Sequence, residues 1–329
     1  MFQTKTTIEV VLVFLFFFYI LIYTKKMNRN ARNFVLGVLV VLFFLNILVW
    51  IAVFDLARPQ FLEVNFFDVG QGDAIFIKTP KRQQILIDGG PDSKILEKLG
   101  KEMPFYDRSI DLVILTHPER DHLAGLIEVL KKYKVENVLW TGIIRDTAEF
   151  KEWQNLIKKE KAKISIAQSG QKIACEKRSL GLWPREMRMR PCEFSIDILY
   201  PFENLEGKIL KDSNNTSIIG KLIFGENSFL FTGDIYQSAE KEILDRGLEV
   251  NSGVLKVAHH GSKTSSSEEF IVKVSPEIAV ISVGKGNSYG HPHQEALEIL
   301  NKFGIKVLRT DQIGDIKIIS DGNTLRITN

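Results

Sequence analysis

Three observations predict a layered α/β domain preceded by a membrane hairpin. From Phe61 onward, short apolar runs of strand length alternate with stretches of helical spacing. Those strand-like runs repeatedly stop at loops that carry Asp or His. Ahead of them lie two long apolar runs, 8–23 and 34–54, interrupted only by Glu9 and Asn46.

The second run is long enough to span a bilayer, since about 20 residues rising about 1.5 Å each cover the hydrocarbon core. The first is shorter, and we read both as spanning. Between them stand Lys25, Lys26, Arg29 and Arg32 without an acidic residue. The positive-inside rule keeps that loop in the cytoplasm. Residues 1–58 then form the membrane hairpin, and residues 59–329 form a domain on the extracytoplasmic side of the cell membrane.

Charge narrows the partners. Residues 1–58 carry six Lys/Arg and two acids, a net of +4, while the whole chain is +3. The remaining 271 residues therefore carry −1, and net charge gives no support for nucleic-acid binding by this domain.

Within the domain, strands are expected at 61–67, 74–78 and 85–87, with the Gly-rich turn Asp68-Val69-Gly70-Gln71-Gly72-Asp73 between the first two. Asp73 and Asp88 sit where apolar runs stop, as turn formers, as carboxylates that orient histidine ligands, or as substrate contacts. A helix is expected over 93–101 and a buried strand over 111–115. A surface helix follows over 149–161, with Phe150, Trp153 and Ile157 as its inner face. Further strands are expected at 135–140, 164–167, 196–200, 218–224, 228–231, 254–258 and 278–283. Cys175 and Cys192 bracket Lys177, Arg178, Arg185, Arg188 and Arg190. An oxidising location would allow a disulfide there, two thiols are the alternative, and the basic residues read as a solvated hairpin.

The chemistry concentrates at Thr116-His117-Pro118-Glu119-Arg120-Asp121-His122, a strand-to-helix turn holding two imidazoles and two carboxylates. Packing gives no reason for that crowding; a metal ion does. All six histidines fall in three pairs, His117/His122, His259/His260 and His291/His293, each in a loop after an apolar run. Asp234 emerges in the same way from the strand ending at Phe231, and suits a ligand that bridges two cations.

These segments resemble the metallo-β-lactamase superfamily, an αββα sandwich with a one- or two-metal site, and in particular the hydrolase domain of ComEC-type competence proteins. The resemblance rests on Phe67 to Ala74, Thr116 to His122, Thr232-Gly233-Asp234-Ile235, Val257 to Ser262 and Tyr289-Gly290-His291-Pro292-His293. It implies His117, Asp121, His122 and Asp234 as metal ligands, completed by His259 or His260, with a slight preference for His260. Glu119 stands where the superfamily signature has His. As a harder, anionic ligand it would tilt the preference toward manganese or another oxygen-favouring ion. Asn214 and Asn215 stand where many relatives place another ligand histidine.

Together these features predict a metal-dependent hydrolase, with one or two Zn or Mn ions activating water. Asp121 would accept the water's proton. His291 or His293 would protonate the leaving group or contact phosphate, and Ser262 and Lys263 would add anion contacts. The resemblance implies DNA, single- or double-stranded, as substrate during DNA uptake. Competence channels also carry a pore domain, so a separate membrane pore protein is the expected partner. The alternatives are hydrolysis of a small ester, lactam or thioester, and a non-catalytic accessory role in a transport complex.

Overall fold

The computed structural model describes residues 28–56, 61–175, 180–184 and 194–328. The chain divides into two compact units, Met1–Pro59 and Gln60–Asn329.

In the first unit, helix α1 runs Arg29–Leu56, and its segment Arg29–Ile51 is long and apolar enough to cross a membrane. Apolar residues occupy every side of it rather than one stripe, the pattern of a helix that crosses a membrane or is buried in a core. The helix begins five residues before the expected start at Phe34, so Arg29 and Arg32 belong to its first turn rather than to a loop. The expected first span, 8–23, lies outside the described residues; among the described residues of this unit there is one apolar helix.

The second unit is a sandwich of two eight-stranded sheets. The first sheet contains β1 (Leu62–Phe66), β2 (Ile75–Lys78), β3 (Gln84–Ile87), β4 (Ser109–Leu115), β5 (Lys134–Trp140) and β6 (Lys163–Ile166). The chain's end returns to it as β15 (Ile316–Ser320) beside β1 and β16 (Leu325–Thr328) at the edge. The second sheet contains β7 (Gln171–Cys175), β8 (Leu180–Pro184), β9 (Phe194–Tyr200), β10 (Ile219–Phe224), β11 (Asn227–Phe231), β12 (Val254–Lys256), β13 (Ile278–Ile281) and β14 (Lys306–Arg309). Strands β3 to β6 and β11 to β14 run parallel, so their C-terminal loops gather along one edge.

Period-two alternation sorts the strand side chains into layers. Ile85 and Ile87 of β3, Leu112 and Ile114 of β4, Phe229 and Phe231 of β11, and Val254 of β12 fill the space between the sheets. Leu86 and Val113 face outward, onto α2 (Lys94–Glu102), α3 (Arg120–Lys132) and α4 (Ala148–Glu160). Leu230, Leu255 and Ala279 face α5 (Gln237–Asp245), α6 (Glu268–Val274) and α7 (Gln294–Lys302) on the opposite side. Helices therefore cover both outer faces. Phe150, Trp153 and Ile157 form the buried face of α4, as their spacing predicts. Cys192 and the arginines and lysine between the cysteines lie outside the described residues.

One close approach locks the His117–His122 turn in place. A Cβ on Gly125, in the second turn of α3, would fall 1.8 Å from the Gly89 carbonyl oxygen, so only glycine fits. The contact is stitched by Gly125 N–H donating to Gly90 (2.9 Å) and Gly89 N–H donating to the His122 carbonyl (2.8 Å).

Candidate metal centre

Five loops bring the centre together, from the ends of β3, β4, β11 and β12 and from the β1–β2 turn. Asp121, His122, Asp234 and His260 form a knot in which one ligand atom from each lies within 4.8 Å of the others. His122 Nε2 is 3.3 Å from Asp234 Oδ2 and 4.0 Å from Asp121 Oδ2. His260 Nε2 is 3.3 Å from Asp121 Oδ2 and 3.4 Å from Asp234 Oδ2. Ligand bonds of about 2.0–2.1 Å arranged tetrahedrally would put neighbouring donors about 3.4 Å apart. The spacing fits a small divalent cation.

A second observation supports the fit. His117 Nε2, His122 Nε2, His260 Nε2 and Asp234 Oδ1 are buried without a hydrogen-bond partner. Buried polar atoms are rarely left in that condition, and each costs about 1–3 kcal/mol unless something engages it. His117 stands one step behind the knot, its ring packed 4.1 Å from that of His122.

The other nitrogen of each ring is held by the protein, which fixes the tautomer. His122 Nδ1–H donates to Asp88 Oδ2 at 2.8 Å, and His260 Nδ1–H donates to the Ser282 carbonyl at 2.8 Å. His117 Nδ1 meets the hydroxyls of Thr116 (3.0 Å) and Ser217 (3.1 Å). Those hydroxyls already donate elsewhere, Thr116 to Asp88 and Ser217 to the Asn214 carbonyl, both at 2.6 Å. Each therefore offers His117 a lone pair and Nδ1 carries the proton, and in the neutral form of each of the three rings Nε2 carries the lone pair. Asp88 also accepts the Thr116 N–H at 2.8 Å, so one buried carboxylate orients two histidines. Asp73 lies behind His260 and forms an ion pair with Lys256, which is wholly buried at the end of β12.

The electrostatics follow from this packing. Burial opposes charge on His122 and His260, but Asp234, with Asp88 and Asp121 beside His122 and Asp73 beside His260, raises both well above the usual imidazole range. Burial would likewise raise Asp121 and Asp234, but the facing histidines hold both low. His117 gains too little from the carboxylates, and burial followed by repulsion from His122 pulls it down to about 3. A cation would take the place of the protons on His122 and His260.

Backbone strain marks the same loop. His259 (φ 49°) and His260 (φ 55°) are consecutive residues in the left-handed region. Such positions cost about 1–3 kcal/mol each and cluster at functional sites. The strain turns the two neighbouring rings apart: His260 enters the knot, while His259 Nε2 lies 3.3 Å from Asn214 Nδ2 and 3.9 Å from Asp234.

The knot opens into a cavity of about 310 Å³ that Glu119, Asn214, His259 and His291 also line. Glu119 is not drawn into the knot. Arg145 Nη2 lies 3.0 and 3.2 Å from its two carboxylate oxygens, and Ser213 Oγ–H donates to one of them at 2.6 Å. Asn215 turns away, accepting from Tyr236 N–H and donating to Ser238. Ser262 bonds Thr264, and His293 accepts the Lys263 N–H; the residues that line the cavity include none of these three. His291 does, and burial with three neighbouring histidines lowers it to about 4. A ring of that basicity is neutral at pH 7, which suits contact with substrate better than protonation of a leaving group.

Sequence reasoning passed over Lys256, Arg145 and Tyr236, and took Tyr289 only as part of the segment 289–293 without giving it a role of its own. Lys256 offered a signal, a lysine inside the apolar run 254–258; Arg145 and Tyr236 sit in unpatterned loops.

Comparison with known proteins identifies the family. A profile of the metallo-beta-lactamase superfamily matches residues 67–285. The ComE operon protein 3 of Bacillus subtilis is 34% identical over 273 residues, covering 78% of this chain and 32% of that protein. The competence protein ComA of Neisseria gonorrhoeae is 29% identical, covering 77% and 32% respectively. The Recombination protein 2 of Haemophilus influenzae is 27% identical, covering 80% and 29%. The chain thus spans about a third of the length of these relatives.

Proposed function

Because this chain belongs to the metallo-beta-lactamase superfamily, we propose that it is a membrane-anchored, metal-dependent phosphodiesterase acting on DNA outside the cytoplasm. The observation that carries the reading is the convergence of unpaired Nε2 atoms of His122 and His260 with Asp121 and Asp234. These four residues would hold the cation, with His117 beside them. A divalent cation bound there would polarise a phosphoryl oxygen and acidify a water molecule.

The chain's own residues do the rest. Asp88 and the Ser282 carbonyl keep Nε2 of His122 and His260 aimed at the carboxylates. Asp121 is the member of the knot with appreciable exposure, its side chain 33% accessible against 0–3% for the other three. It is held ionised, it faces the cavity, and it accepts the proton of the attacking water. His291, neutral and on the cavity wall, contacts the substrate. DNA as substrate draws on the likeness to competence and recombination proteins. The side of the membrane draws on the basic residues ahead of the apolar stretch of α1.

The full chain in detergent, loaded with Mn²⁺ or Zn²⁺, is to be offered linear DNA, bis-p-nitrophenyl phosphate and a β-lactam. Hydrolysis of the two phosphodiesters, lost in Asp121→Ala, is the expected outcome. A folded, metal-loaded protein that hydrolyses no phosphodiester faster than Asp121→Ala would overturn the reading. Labelling of an engineered cysteine beyond residue 60 in intact cells tests the topology; labelling only after lysis would reverse it.

A further inference from the structure

We propose that Tyr289 is a stacking platform for an unpaired nucleobase next to the scissile phosphate, so that the substrate is single-stranded where it is cut. The proposal rests on the phosphodiesterase reading and deepens it.

Tyr289 lines the cavity yet is 65% exposed. A large ring left open to water beside a buried polar knot is covered when a flat apolar group lies on it. It stacks on His291 at 5.7 Å and 21°, and the His291 ring in turn lies 6.2 Å from that of His260. An aromatic step thus leads from the open rim to a residue of the knot. The other tyrosine on the wall, Tyr236, is partly covered and has its hydroxyl tied to Asp212 at 2.7 Å.

The platform is built in advance. The Asn287 side chain makes four hydrogen bonds within its own loop: it accepts from Tyr289 N–H (3.1 Å) and His291 N–H (3.0 Å), and donates to the carbonyls of Gly284 (3.0 Å) and His291 (2.7 Å). Gln71, from the β1–β2 turn, accepts the Gly284 N–H at 3.1 Å and ties the loop to the first sheet. A rigid aromatic ring loses little freedom on binding, which makes it an effective anchor.

A cation stands on the same wall. Lys211 is exposed and lines the same cavity, and its carbonyl is held by Arg145. A cation that follows a phosphate backbone, together with an open aromatic face, is the combination that binds single strands without reading sequence. In a duplex each base is already stacked and paired, so its face is closed to Tyr289.

The test uses the full chain in detergent with Mn²⁺, and two single strands of equal length, one base-bearing and one abasic. Removing one base–aromatic stack in Tyr289→Ala should raise KM for the base-bearing strand about 5- to 150-fold. The change in kcat should stay within about twofold. The abasic strand should be cut equally by both proteins, and Tyr289→Phe should behave as the wild type. An unchanged KM in Tyr289→Ala, or an equal loss on the abasic strand, would overturn the proposal. Fluorescence of Tyr289→Trp in EDTA, measured against the wild type, should be quenched by the base-bearing strand and not by the abasic one; equal responses would also overturn it. If the wild type cuts neither strand, the phosphodiesterase reading falls, while the quenching still decides the role of Tyr289.

Discussion

The two walls of the cavity treat their polar atoms differently. On one wall, His122 and His260 bring Nε2 atoms to 3.3–3.4 Å from carboxylate oxygens, and no hydrogen bond engages them. On the other, Glu119 gives both carboxylate oxygens to Arg145 and one of them also to Ser213. Both walls carry residues that a motif alone would assign to the metal. On the first wall the Nε2 atoms lack a well-formed hydrogen bond, and on the second both carboxylate oxygens have one. A ligand is recognised by what it lacks inside the protein as much as by its type.

The difference can be broken most severely by removing Asp234. Asp234→Ala takes away a charged group of the knot and should lower metal affinity by more than the about 10–100-fold that outer partners carry, measured by metal titration of the folded protein. Asp88→Asn leaves the knot's own atoms intact but releases the His122 and Thr116 contacts. It should fall within that range of about 10–100-fold in affinity. A smaller loss would mean that Asp88 does not hold the imidazole for a metal.

Acidity probes the same wall. His122 and His260 are raised well above the ordinary imidazole value in the metal-free protein, so each binds a proton that a cation must displace. Raised pKa values place that competition at neutral pH and above. Metal affinity should therefore climb as pH rises from 6 to 8, by up to about tenfold per unit for each proton displaced. A flat profile would contradict the assignment.

Gly125→Ala strains the wall through the backbone, because the new methyl meets the Gly89 carbonyl. Overpacking of this kind costs about 1–3 kcal/mol, read as a lowered midpoint of denaturation. Glu119→Gln sharpens the comparison from the other side. It weakens the ion pair with Arg145 but should change metal affinity less than about threefold, since that carboxylate has its partners already.

These contrasts explain what the sequence disclosed. The sandwich was legible because alternating apolar residues, such as those of β3 and β11, face two different layers. The return of β15 to pair with β1 was not, because Leu62 and Ser320 meet only in the folded chain. The gathering of His122, His260, Asp121 and Asp234 at one point was legible because few structural roles crowd such groups at strand ends. The partners of Glu119 were not legible, since Arg145 and Ser213 lie 26 and 94 residues away. Choosing between His259 and His260 needed the left-handed backbone at both, which residue type does not announce. Asn215 was assigned by position, while its amide closes the β11–α5 loop through Tyr236 and Ser238.

The central claim is that the cation sits among Asp121, His122, Asp234 and His260 and leaves Glu119 to Arg145. Anomalous diffraction from crystals of the full chain loaded with Mn²⁺ or Zn²⁺ tests it most directly. The account predicts an anomalous peak within ligand distance of His122 Nε2, His260 Nε2 and both aspartates, with Glu119 still paired to Arg145. A peak coordinated by Glu119, or no peak among these four residues, would contradict it.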